Sequence, residues 1–282
     1  MLQVNESICR GDVLASLQTI AGDPICPLGL AGNPEMAAEC VPLALDGGLN
    51  AFFFYNLSFQ TLITGVKEAA LGHRDSVFIS TGTEDRDVSG VRNYFDNARK
   101  ALQVDTVDAF FAEYVAPGDT FEEIMGVLDE IHKWKKEGKV RYVGASVHDR
   151  ALALRLMQSG RVDVLMHRYN MAHRKSEEEV LPLAAQAGIP VVSFTNTRWG
   201  SLLKGHAKWQ GPIPSAADCY RFVLRHGAVK LAWTAPCSSS ELKANLSVLD
   251  TPRMRGGEVA QWKAYGDLVY GDGTDAFETR WP

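Results

Sequence analysis

Gly138-Lys139-Val140-Arg141-Tyr142-Val143-Gly144-Ala145-Ser146 carries a strand, residues 140–146, between two stretches of helical period, residues 121–137 and 150–158. Outward from it the same alternation repeats. Strands are read at 25–32, 49–55, 76–81, 106–114, 140–146, 162–168, 190–195 and 229–234. Helices are read at 35–45, 59–71, 88–102, 121–137, 150–158, 177–187, 216–225 and 241–249. Asp87, Thr120, Ser176 and Ser215 stand at helix starts, where a side-chain oxygen accepts the free N–H groups of the first turn. The strands are apolar almost throughout, as in Val-Val-Ser-Phe at 191–194. That suits a parallel sheet covered on both faces. Eight such units in roughly 225 residues match a (β/α)8, or TIM, barrel. The even count and near-regular spacing favour the barrel over a doubly wound sheet.

The 282 residues, 46% hydrophobic and 22% charged, suffice for one barrel-sized domain spanning 1–282. Residues 1–23 precede the first strand and are expected to cap the barrel bottom. One more helix is read at 258–270, followed by a tail to 282. A net charge of -5 argues against a nucleic-acid or membrane-surface partner. No apolar run is long enough to span a membrane and no signal peptide is visible, so a cytoplasmic protein is expected. The 5 cysteines form no C-x-x-C pair, so neither a metal site nor a disulfide framework is expected. Walker, G-x-G-x-x-G, H-E-x-x-H and G-x-S-x-G motifs are absent.

The opening nonapeptide resembles the "GKVRxxGxS" fifth strand of aldo-keto reductases. The resemblance extends over roughly residues 24 to 250. Leu28-Gly29-Leu30-Ala31-Gly32 is similar to that family's first strand, and Gly48-Leu49-Asn50-Ala51-Phe52-Phe53 to its second. Val107-Asp108-Ala109-Phe110, Tyr169-Asn170, Gly188-Ile189-Pro190-Val191 and Asn245 follow in the family's order. The resemblance implies a barrel of aldo-keto reductase type. Fold alone does not give function.

It also implies a chemistry that these residues do not carry. The family uses a Tyr as proton donor, a Lys and an Asp to tune it, a His to orient substrate, and a nicotinamide for hydride. At the matching positions stand Ser58, Gly82, Phe53 and Glu113. A family branch that reduces steroid double bonds also has Glu at the His position, while keeping its Tyr. The resemblance implies NADP(H), with Ser146 on the nicotinamide amide and Phe194 stacked on its ring. Gly200, Ser238 and Asn245 belong to its phosphate and adenosine end. Against this, Val147 and Met166 replace the other two amide-clamp residues. The stretch 235–240 also lacks a basic residue for a 2′-phosphate.

Strand alternation places Phe53, Tyr55, Gly82, Glu84, Glu113, Ser146, His148, Met166, Arg168, Phe194 and Asn196 around the mouth, the face that carries the active site in this fold. Arg168 is the expected anchor of an anionic substrate. Tyr55, Glu113 and His148 are the expected proton-transfer groups. Each has a bland alternative. Glu113 would be a structural ion pair with Arg168 or Arg198, His148 a solvated loop residue, and Tyr55 packing against Phe52 and Phe54. Three functions remain open on the sequence: acid–base chemistry on a small carbonyl-bearing or anionic metabolite without redox turnover, an NADP(H)-dependent oxidoreductase with a non-standard proton donor, and a non-catalytic binding or regulatory protein. The sequence does not specify the oligomeric state.

Overall fold

Each apolar run forms a parallel strand, and each amphipathic run a helix outside it. The computed structural model describes residues 17–273. Strands β1 (Leu28–Ala31), β2 (Ala51–Phe54), β3 (Phe78–Thr83), β4 (Val107–Val115), β5 (Val140–Val147), β6 (Val164–Arg168), β7 (Val191–Phe194) and β8 (Val229–Thr234) close into a barrel in chain order. Around it run α1 (Cys40–Asp46), α2 (Gln60–Ala70), α3 (Val88–Leu102), α4 (Phe121–Lys136), α5 (Arg150–Gln158), α6 (Val180–Ala187), α7 (Ala216–Leu224) and α8 (Ser239–Leu246). A further helix, α9 (Gly256–Tyr270), follows the last unit. The barrel expected from the sequence is therefore present. Of the cap expected of residues 1–23, residues 1–16 lie outside the described residues, as does the tail 274–282. No described helix is long and apolar enough to cross a membrane.

Three of the four expected caps hold. The side chains of Asp87, Thr120 and Ser215 accept from Gly90, Glu123 and Asp218 N–H, the last two in full capping boxes. Ser176 does not cap a helix. It sits in a short 3-10 turn, Lys175–Glu177, and bonds Nε2 of the buried His167 at 2.9 Å. His167 Nδ1 donates to the Val147 carbonyl at 2.8 Å, so Nε2 accepts from the Ser176 hydroxyl. The helix expected at 35–45 starts only at Cys40. Asn33 holds the preceding loop in turns: its Oδ1 takes the Glu35 N–H, and its Nδ2 donates to the Ala235 and Pro236 carbonyls.

Strand parity divides the core in two. Phe52 and Phe54 face outward to helix residues such as Leu62 and Val66. Phe53 faces inward with Leu17, Phe78, Phe111, Met166, Leu231 and Trp233. The opening signature builds this interior: a Cβ on Gly144 would lie 2.4 Å from the Phe111 ring, so only glycine admits that ring. Arg141 serves the bottom. It bonds Asp108 at 2.5 Å and the carbonyls of Gln18 and Thr19, tying the segment before β1 to the barrel.

Candidate active site

The C-terminal end of β4 is irregular. Its pairing with β5 shifts register between Ala112 and Val115, and Tyr114 takes a left-handed backbone, φ 50°. Such irregularities re-aim side chains at barrel rims. Arg86 holds this one by donating to the Glu113 and Tyr114 carbonyls at 2.8 and 3.1 Å and to Asp119 at 2.9 Å. Tyr114 lines the mouth as a result, beside Glu113, which is there by strand parity.

Glu113 is 6% exposed. Burial pushes its carboxyl up from 4.5 to about 8; a Ser146 hydrogen bond lowers it, the negative charge of Glu84 raises it, and the Arg86 charge lowers it least. At neutral pH it is a carboxylic acid. The expected ion pair with Arg168 or Arg198 does not form, and the group is kept neutral by protonation instead. Gly82 lies against it: a Cβ there would stand 2.4 Å from the Phe111 carbonyl oxygen and 2.8 Å from Glu113 Cγ.

Below the acid is an aromatic floor. Phe53 stacks on Trp233 at 5.4 Å and meets Phe111 edge-on at 6.1 Å. Tyr55 stands at the rim, 45% exposed, with its ring edge-on to Phe59 at 5.3 Å rather than packed on Phe52 and Phe54. Partial burial, then the charges of Glu84 and Glu113, raise its pKa, so its phenol is a donor. His148 is buried, unlike a solvated loop histidine. It lies between Tyr114, Phe194 and Trp199, at ring distances of 5.3, 4.8 and 6.4 Å.

These groups face one cavity of about 690 Å³, which runs from the mouth over the β7–α7 loop to the start of α8. Tyr55, Glu113, Ser146, His148, Phe194, Gly200 and Asn245 all line it, as do Glu84, Met166 and Asn196. Two expected site residues do not. Ser238 caps α8, accepting from Glu241 N–H at 3.2 Å. Arg168 lines a neighbouring cavity of about 340 Å³; at the last position of β6 its long side chain reaches toward His173 in the β6–α6 loop. The sequence reading missed Tyr114 and Trp233. Tyr114 falls on the wrong parity and only the register shift brings it in. Trp233 belongs to the inward parity of an apolar strand and was legible as core alone.

Among the described residues the 690 Å³ cavity is lined by Glu84, Glu113 and Glu241 and by no lysine or arginine. The amides of Gly200, Ser201, Leu202 and Leu203 bond within their own loop. At α8 the Glu241 carboxylate takes the Cys237 N–H at 2.8 Å. Asn245 donates to Thr234 at 2.9 Å.

Residues 31–218 match the sequence profile of the Aldo/keto reductase family. The chain belongs to that family. An NADH-specific methylglyoxal reductase of Escherichia coli is 28% identical over 101 residues, covering 36% of this chain and 31% of that protein. A probable aldo-keto reductase of Glycine max is 26% identical over 149 residues, covering 46% and 42%. Both matches span less than two thirds of the relative's length. The fold of this chain is similar to that of an aldo-keto reductase from Klebsiella pneumoniae solved in complex with NADPH. The TM-score is 0.75 at 20% identity, over 96% of this chain and 99% of that one.

Proposed function

We propose that this aldo/keto reductase is an enzyme whose mouth has been rebuilt for acid–base chemistry on a small carbonyl-bearing molecule. Glu113 is the acid. The observation that carries this reading is a buried carboxyl held up to about 8, facing a cavity that Glu84 also lines. A carboxyl that burial holds neutral and a second carboxyl lining the same cavity divide the roles of acid and base. The neutral Glu113 donates to the carbonyl oxygen. Glu84, which acts on it as a negative charge, takes the proton from the neighbouring carbon. The C–H bond breaks, its electron pair forms the enol, and the reverse transfer returns a proton. Tyr55 adds a donor at the rim, and His148, buried between three aromatic rings, adds a second proton-transfer group on the wall. Phe53, Ser58, Gly82 and Glu113, at the positions of the usual Asp, Tyr, Lys and His, leave the standard mechanism without its parts.

NADP(H) fits this cavity poorly. Its phosphates would meet no cation among the described lining residues, and Glu241 already takes an amide at the start of α8. A second reading, hydride transfer with Glu113 or Tyr55 as proton source, draws on Ser146 and Phe194, which both line the cavity. The names of the relatives also favour it.

One experiment separates the two readings. The protein is incubated in D2O with pyruvate, glycolaldehyde, dihydroxyacetone and methylglyoxal, with and without NADH or NADPH, and followed by proton NMR. Loss of signals next to the carbonyl without cofactor is expected, slowed by about 100-fold or more in Glu113→Gln. Exchange equally fast in that variant, or carbonyl consumption only with reduced cofactor, would remove the first reading.

A further inference from the structure

The 340 Å³ cavity beside the mouth has the opposite character. The β6–α6 loop forms one wall and α9 another. Five cations line it against three carboxylates, Glu177, Glu178 and Asp267. Two of those carboxylates are engaged: Asp267 with Arg174 at 2.5 Å, and Glu177 with Arg225 and Lys263 at 2.5 and 2.8 Å. Arg150 and Lys175 add positive charge to the same walls.

His173 faces this cavity and is 8% exposed. Neither ring nitrogen has a hydrogen-bond partner among the described residues; its one ring contact is edge-on to Tyr270 at 5.4 Å. A buried polar group left so is costly unless something else satisfies it. Burial, followed by the charges of Arg168, Arg198 and His148, keeps the imidazole neutral. It therefore presents one N–H donor and one bare nitrogen acceptor. Amid cations, an oxyanion that also carries a proton satisfies both.

We propose that this cavity is an oxyanion-binding site for a hydrogen phosphate group, held by His173, Arg150 and Lys175. It is independent of the proton-transfer reading of the mouth. The group accepts from the imidazole N–H, donates its own P–OH to the other nitrogen, and meets the two cations. A carboxylate or sulfate cannot make the donated bond. The phosphate comes either free or on an organic monoester.

Calorimetric titration of the full chain near pH 6.5 with inorganic phosphate, glycerol phosphate and sulfate, at constant ionic strength, tests the site without any turnover. Phosphate or glycerol phosphate is expected to bind at least about tenfold more tightly than sulfate. The tighter of the two identifies the source. His173→Phe and the exposed Lys175→Gln are each expected to weaken binding about tenfold, with melting curves checking the fold. Phosphate binding no tighter than sulfate, or unchanged in both folded variants, would overturn the site. So would the absence of phosphate binding by about 10 mM.

Discussion

Gly82 has no room for a side chain. The strand-to-strand approach leaves no space for a Cβ, because the Phe111 carbonyl and the Glu113 side chain are already there. Gly82→Lys is therefore expected to destabilise the barrel by about 1–3 kcal/mol through overpacking, without gaining reductase activity. Urea unfolding and an NADPH-coupled aldehyde assay would show it. The sequence resemblance places Gly82 where the family has a lysine. It did not reveal this contact, because parity reports which face a residue occupies and says nothing of its neighbour across the sheet. Glu113 repeats the lesson. Its inward position and its need for compensation were legible. The ion pair expected to supply that compensation was not made, since Arg168 turns to the next cavity and Glu113 holds a proton.

Among the elements, β4 and β5 do most to position the site. At their lower ends, fully buried Asp108 accepts from Arg74 at 2.7 Å, Arg141 at 2.5 Å and the Ile79 N–H at 2.8 Å. At the upper end Glu113 keeps the inward parity of Phe111, and the register shift brings Tyr114 in beside it. Removing one partner of a buried ion pair typically costs about 3–5 kcal/mol, and Asp108→Ala is expected to fall in that range by chemical denaturation. A loss below about 1 kcal/mol would mean that the network is dispensable. Strands were legible because runs such as Val-Val-Ser-Phe are apolar on both faces. The start of α1 was not, because Asn33 forms its bonds to Ala235 and Pro236, 202 and 203 residues away. Ser176 misled for a similar reason: its hydroxyl is taken by His167 on β6.

Among the described residues, charge differs between two cavities that share His148 as a wall: the mouth has carboxyls and no lysine or arginine, and the other has five cations against three carboxylates. Stability should register this difference. Glu113 has a folded pKa of about 8 against an ordinary value of 4.5, so its contribution is full below about 4.5 and is lost as pH rises through about 8. Across that window the slope is at most about 1.4 kcal/mol per pH unit. His167 and His173, held down to about 4 and about 3, act in the opposite sense, losing stability only as pH falls below about 6.5. Between about pH 6.5 and 8 the Glu113 slope therefore stands apart, and Glu113→Gln is expected to flatten it in urea titrations.

The central claim is a neutral acid at the mouth, and infrared difference spectroscopy of native protein against Glu113→Gln across this pH range tests it most directly. The expected result is a protonated carboxyl band at pH 7 that gives way to carboxylate as pH passes about 8. A Glu113 that is already carboxylate at pH 6 would contradict the account.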